Sequence, residues 1–403
     1  MPASASTSTA TATATSASTS TSTSNSTLTL PANRRSTAAL IEHDRFDAAF
    51  VFWHARHAED PPATLAALVA LARQATRDRR HQLAAGYDAM HCALRRGSRW
   101  YPASLGARLL PHQTAPISGT RLRHDAAQFE YLHALGVLGD EFQPIIAHLR
   151  RLATWLDGGQ PHGRGLLYAA KQDDPNDSAD LHDVDEVYDR IIHLRPTPCV
   201  AQPLSGHAVQ AARAAFSLPH DRHGIVVIDD FLSAAALGEL LRFCLQSTVW
   251  LRELGHGRLG ASYENGFNCP LLVQCAHAVF GHGHGQGHEG LHWSACKHPP
   301  RLPGEALHAD QGAIKLQLWL TPDAANLDPA TGGMFIRDRH GNTRYIAYRQ
   351  NRAVIFPARL LHGAATRSFR DDHGGRRIDL TGLSGAPRYS TPSARIAAIS
   401  SSP

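Results

Sequence analysis

The sequence predicts an α+β protein, a helical N-terminal part followed by a C-terminal β-barrel or sandwich, on three observations. Apolar residues between Ser36 and Leu156 recur at the three- and four-residue spacing of helices. Beyond Gly224 the texture turns to short β-branched runs separated by Gly, Pro, Asn and Asp clusters. After Trp250 those runs follow one another without a helix between them, which favours an antiparallel barrel or sandwich over a doubly wound sheet.

Taken in order, residues 1–35 form a Ser/Thr/Ala-rich tail with neither a basic n-region nor an apolar h-region, and they read as a disordered polar segment. Residues 36–160 form the helical region. Its runs pass through Leu40, Ile41, Phe46, Phe50 and Trp53, then Leu65, Leu68 and Leu71, then Leu83 to Leu94. Paired helices of this kind resemble tetratricopeptide repeats only loosely. A further helix is expected around Asp125 to Leu132, with Asp125 as N-cap and Gln128 as its reciprocal partner, and another from Phe142 to Leu156. Residues 161–221 form a connector with helices, marked by the acidic stretch Asp173–Asp189, Pro196 and Pro198. Residues 222–403 form the β domain. It opens with Ile225–Ile228 and a helix from Ser233 to Ser247, and its clearest strands are Ile314–Leu320, Gly333–Ile336, Ala353–Phe356 and Arg377–Gly382.

The bulk numbers exclude several classes. A net charge of +5 is spread over single and paired arginines with no long basic block, which argues against a nucleic-acid partner. No stretch approaches the roughly 18 apolar residues of a membrane-spanning helix. None of the six cysteines stands at C-x-x-C spacing, so they read as reduced thiols of a cytoplasmic protein.

The chemistry-bearing pattern is His308–Ala309–Asp310. On an extended strand, residues two apart share a face, so an imidazole and a carboxylate can meet one ion. Alone it means little: 26 His and 35 Asp plus Glu in 403 residues yield about two such pairs by chance, and His57–Ala58–Glu59 is the other. In that predicted helix the two side chains diverge. The surroundings of the first pair carry the signal. A strand, Ile314–Leu320, follows it; then Asn326–Leu327–Asp328–Pro329, Gly332–Gly333–Met334–Phe335, the run Ala353–Phe356, Leu361–His362–Gly363, and Arg376–Arg377–Ile378–Asp379–Leu380–Thr381.

This ordered set resembles the double-stranded β-helix of the iron(II)- and 2-oxoglutarate-dependent oxygenases, in particular the prolyl-hydroxylase-like branch and a bacterial subgroup with helical N-terminal regions. The resemblance spans about residues 222–386 and includes Gly224–Leu232, Trp319–Pro329 and Asn351–Phe356. It implies a jelly-roll domain with flanking helices. His308, Asp310 and His362 are then the metal ligands, the two-histidine, one-carboxylate set that leaves coordination positions open. It further implies that 2-oxoglutarate and O2 are consumed, that succinate and CO2 leave, and that a C–H bond is hydroxylated. A basic residue on the last core strand should grip the distal carboxylate of 2-oxoglutarate, and Arg377 aligns with it, with Arg376 as the alternative because adjacent strand residues point oppositely.

Two positions depart from the family pattern. Asp379 stands where many relatives place a hydroxyl, either orienting Arg377 or touching substrate, and leaves Thr381 as the hydroxyl on that strand face. Lys315 either reaches an anionic cosubstrate or is a partly exposed strand lysine. Trp293 and Lys297 before the H-x-D pair, and Tyr263, Asn268 and Cys269, are candidates for the pocket and its entrance, while Trp293 also suits a core. The Gly281–His288 stretch reads as a loop.

The leading expectation is a hydroxylase of a peptidyl or amino-acid-like substrate. The same chemistry on a small metabolite is the second, and a catalytically silent binding module of the same fold is the third. The helical region either presents a surface to a peptide or protein or covers the barrel and mediates a homodimer.

Overall fold

The computed structural model describes residues 34–43, 45–96, 118–157, 184, 187–217, 224–262, 266–280 and 292–384. The Ser/Thr/Ala tail, most of the acidic connector, Tyr263 and the Gly281–His288 stretch lie outside the described residues. Helices α1 (Arg34–Glu42), α2 (Phe46–Glu59), α3 (Pro61–Arg77) and α4 (His81–Arg96) pack around Ile41, Phe50, Trp53, Leu68, Tyr87 and Met90. The start of α3 is fixed locally: the Asp60 carboxylate accepts the Ala63 N–H at 3.1 Å, and two prolines occupy the first turn, where no backbone donor is needed. Helices α5 (Gly119–Ala134) and α6 (Phe142–Asp157) form a second unit around Leu122, Phe129, Phe142 and Leu149.

The beginning of α5 corrects one expectation. Its N-cap is Ser118, whose hydroxyl accepts the Arg121 N–H at 3.1 Å. Asp125 lies inside the helix and takes the Arg121 guanidinium at 2.7 Å, and Gln128 donates to the carbonyls of Leu245 and Ser247. The Asp-x-x-Gln spacing fits a capping box, but these buried side chains bind along the helix and to the Leu245–Ser247 backbone instead.

Helices α7 (Gly206–Ser217), α8 (Ala234–Gln246) and α9 (Pro270–Phe280) cover one face of a seven-stranded antiparallel sheet. Its strands are β1 (Val226–Ile228), β2 (Arg252–Glu253), β3 (Leu259–Ser262), β4 (His292–Lys297), β6 (Ile314–Trp319), β9 (Ala353–Pro357) and β12 (Ile378–Ser384), in the order β1-β9-β6-β12-β4-β3-β2. A smaller sheet runs β10 (His362–Ala364), β7 (Met334–Arg337), β8 (Thr343–Ile346), and β11 (Arg367–Ser368) pairs with β5 (Arg301–Leu302). From β6 onward the chain passes from the large sheet to the small one, back at β9, across again at β10 and back at β12. That winding is the double-stranded β-helix. Trp319, Met334, Ile336, Phe356 and Phe369 fill the space between the sheets. Strand period two divides β6: Ile314, Leu316 and Leu318 join the core under the helices, and Lys315, Gln317 and Trp319 face the cavity between the sheets.

The helical part meets the barrel part at His81, at the start of α4, and His277, in α9, whose ring nitrogens lie 2.8 Å apart. Burial, with the nearby His81 and Arg79 charges adding to it, pulls His277 down to about 4. A histidine whose folded pKa lies below its unfolded value near 6.5 leaves the unfolded state binding more protons, so stability is lost as pH is lowered from the unfolded value towards the folded one. His91 and His298, also pulled down to about 4 by burial, act in the same direction. The urea midpoint should therefore drop steadily from pH 7 to pH 4.5, and His277→Asn should make that slope shallower; an unchanged slope in the variant would remove His277 from the account.

Candidate active site

The two imidazoles and the carboxylate of the H-x-D…H set are brought together by backbone pairing. His308 and His362 form an isolated antiparallel bridge, exchanging N–H···O bonds of 2.9 and 2.8 Å, so residues 54 apart in sequence become neighbours. Next to them the Asp310 N–H donates to the Ala358 carbonyl at 2.9 Å, and the Glu305 N–H to Ala364 at 2.8 Å. Gly363 permits this approach, since a Cβ there would lie 2.9 and 3.0 Å from the carbonyl oxygens of Glu305 and Ala306. One ligand-capable atom from each of His308, Asp310 and His362 lies within 4.8 Å of the others, the one such group among the described residues. The expected strand is shortened to a single bridge, with His308 in it and Asp310 just beyond it.

Each ring has its tautomer set by a main-chain carbonyl two residues earlier. His362 Nδ1 donates to Leu360 O at 2.8 Å and His308 Nδ1 to Ala306 O at 3.2 Å. Both Nε2 lone pairs are thereby left for an acceptor role. The phenyl ring of Phe356 packs edge-on against His362, which is buried, whereas His308 is half exposed at the rim. Burial opposes charge on Asp310, but the Lys315 ammonium beside it holds its carboxyl well below the usual range.

Lys315 departs from the exposed-strand reading. It is buried, and its ammonium donates to Asp310 Oδ2 at 2.7 Å and to His362 Nε2 at 3.0 Å. The reason is parity: Lys315 shares the cavity-facing side of β6 with Gln317 and Trp319.

Of the two adjacent arginines, Arg377 is the buried one, and Arg376 pairs with Asp371 nearer the surface. Asp379 is the partner of Arg377. Its oxygens accept from Nε at 2.6 Å and Nη2 at 2.9 Å, and Nη1 donates to the carbonyl of Gly332, a residue at φ +84°. The guanidinium is ringed by Trp319, Tyr348 and Phe369 at 5.4 to 5.9 Å. Of its five N–H groups, these bonds leave one on each terminal nitrogen. His298 completes the unit through Nε2, 3.1 Å from Asp379 Oδ2. Burial opposes ionisation of Asp379, and Arg377 with His298 overcomes it, holding the carboxyl well below its ordinary range. Thr381, two residues on, donates its hydroxyl to Gln317 Oε1 at 3.1 Å.

His308, Asp310, His362, Lys315, Arg377 and Thr381 all line one cavity of about 320 Å³. Of the neighbouring candidates, Trp293 and Lys297 lie elsewhere. They face away on β4, Trp293 donating to Leu272 O at 3.1 Å and Lys297 standing over the Trp250 ring. Ser294, Cys296 and His298 line the cavity in their place, one residue out of phase with the expectation. Cys269 and Asn268 border a different cavity, beside α4. The Cys296 thiol, pushed up to about 12 by burial and by Asp379, stays protonated and is no thiolate ligand. Arg258 also lines the cavity and donates at 2.7 Å to Glu305 Oε1, the same oxygen that accepts from Arg367 at 2.6 Å. Sequence gave no signal for His298 among 26 histidines, nor for the Glu305 pairing. Removing one partner of a buried ion pair leaves the other uncompensated, so Asp379→Ala should lower unfolding free energy by about 3–5 kcal/mol in urea titrations; a loss below about 1 kcal/mol would mean that Arg377 does not depend on it.

No protein-family model matches the chain, and no curated protein matches it. Among solved structures the chain is similar to a prolyl hydroxylase from Trichoplax adhaerens in complex with a hypoxia inducible factor oxygen degradation domain peptide fragment, with a TM-score of 0.33 and 13% identity over 49% of this chain and 95% of that one. It is similar also to a Pseudomonas putida prolyl-4-hydroxylase, with a TM-score of 0.31 and 17% identity over 46% of this chain and 97% of that one. A third similar structure is a Burkholderia pseudomallei oxidoreductase of the 2OG-Fe(II) oxygenase family, with a TM-score of 0.31 and 10% identity over 50% of this chain and 100% of that one.

Proposed function

We propose that this chain is an Fe(II)- and 2-oxoglutarate-dependent dioxygenase that hydroxylates a C–H bond of a peptidyl or amino-acid-like substrate. The observation that carries the reading is the convergence of His308, Asp310 and His362 with both imidazole Nδ1 atoms held by carbonyls. Two neutral Nε2 donors and an ionised carboxylate suit Fe(II) and leave positions for further ligands. At another part of the same cavity, Arg377 keeps two N–H groups beyond those used by Asp379 and Gly332, which suits the distal carboxylate of 2-oxoglutarate. We assign the Thr381 hydroxyl to that carboxylate as well, because it lies on the same face of β12; to donate there, its one hydrogen must leave Gln317 Oε1.

Bound together, iron and 2-oxoglutarate supply the oxidising chemistry, consuming O2 and releasing succinate and CO2. The protein's own part is positional. The carbonyl-held rings present fixed lone pairs, and the bridge keeps the two histidines at one spacing. The buried floor of Arg377 and Asp379 orients an anion. The half-exposed rim at His308 supports a substrate that reaches in from the surface, as a side chain on a peptide would.

The expected result is succinate formation that requires both Fe(II) and 2-oxoglutarate, with His308→Ala lowering turnover at least ~10²-fold. Undiminished turnover in that variant would remove the metal assignment. Stimulation of succinate release by peptides and not by small metabolites would support the substrate class, and the reverse would move it to metabolites.

A further inference from the structure

The mechanism of such a site has no use for a lysine among the ligands, yet Lys315 is there. Its ammonium lies at hydrogen-bond distance from Asp310 Oδ2 and His362 Nε2, two of the three ligand atoms. It does not arrive by chance of a mobile surface chain: β6 is buried along its length, and Lys315 stands on the cavity side between Ile314 and Leu316 of the core. Because His362 Nδ1 is committed to Leu360 O, Nε2 has a single lone pair to give. It can accept from Lys315 or bind a metal ion, not both.

We propose, resting on the oxygenase reading, that Lys315 is a resident cation that occupies the ligand atoms of Asp310 and His362 until the metal displaces it, after which it neutralises the anionic cosubstrate. A divalent ion, the Asp310 carboxylate and a dicarboxylate together carry one surplus negative charge, which the Lys315 ammonium cancels. With metal alone, the ammonium instead faces a second cation across a few ångströms in a partly buried cavity, where like charges repel strongly. The metal and the 2-oxo acid therefore bind cooperatively, and by linkage each raises the affinity of the other by the same factor. Lys315 is in this sense a determinant of binding order.

The test is Mn(II) binding followed by electron paramagnetic resonance, on wild-type protein and Lys315→Met, each with and without 2-oxoglutarate. Removing the resident cation should tighten binding of Mn(II) alone at least ~10-fold. The factor by which 2-oxoglutarate improves Mn(II) binding should shrink by a similar amount. Lys315→Gln, which keeps a donor for Asp310 without the charge, should behave like the methionine variant and serves if that variant does not fold. Equal Mn(II) affinities in wild type and variant, or an unchanged 2-oxoglutarate effect, overturn the proposal and leave the oxygenase reading standing. Absence of Mn(II) binding from all three proteins overturns both.

Discussion

The antiparallel bridge between His308 and His362 is the constraint on which the site depends. It joins two segments separated by four strands of chain, and it does so through main-chain bonds that no side-chain substitution removes directly. Everything nearby is arranged to let it form. Gly363 lets the Glu305–Ala306 backbone come close, Phe356 packs His362 from inside, and the Ala358 carbonyl receives Asp310 N–H. Three ligand atoms thus converge because a sheet closes, and the rings need only rotate onto the nearest carbonyls to present Nε2. Preorganisation of this kind avoids the entropy that ordering the ligands at binding would cost.

Charge is the second constraint. The cavity wall carries two intimate cation–anion units, Lys315 with Asp310 and Arg377 with Asp379, and the Arg258–Glu305–Arg367 chain borders it. Burying any one of these ions alone would be costly, and each is compensated by a partner within hydrogen-bond reach. The two units differ in what they leave over. Arg377 is fixed by three bonds and an aromatic ring of neighbours. Lys315 has a single-point charge on a flexible stem and can exchange partners. A fixed cation suits the end of a ligand that must always sit in one place; a movable one suits the end where the charge changes.

The fold was legible because strand order survives where single motifs fail. His308–Ala309–Asp310 is expected by composition, but its place before the β6 run, the Gly-Gly strand, His362 and Arg377 is not, and the two sheets follow that order. What sequence could not resolve was phase. On β4 the expected cavity residues Trp293 and Lys297 are one step out of register with Ser294, Cys296 and His298, and a one-residue shift exchanges the faces of a strand completely. Of the two alternatives for Lys315, the partly exposed one fails for a related reason: lysine type suggests exposure, whereas the parity of β6 places it inside beside Gln317. The expected cap at Asp125 failed because spacing cannot distinguish a reciprocal cap from a buried carboxylate waiting for Arg121. Asp379, the most discordant residue of the family pattern, is explained by the guanidinium two residues before it.

The helical half takes part in this arrangement through one loop. Between β11 and β12 the chain passes His373 before it delivers Arg377 to the cavity. His373 Nε2 donates to Leu245 O at 3.0 Å, and its Nδ1 accepts from Lys297, whose ammonium burial disfavours strongly. On its other sides the ring meets Tyr131 and His124 of α5, at 4.9 and 5.9 Å. The loop is therefore gripped from outside by α5 and the end of α8, and from inside by the Arg377–Asp379 pair. His373 stands four positions before Arg377, so α5 packs against the segment that carries the guanidinium. Sequence offers Lys297 as a pocket residue; in the structure it acts on the far face of the sheet, where it supports the loop that carries the pocket's arginine.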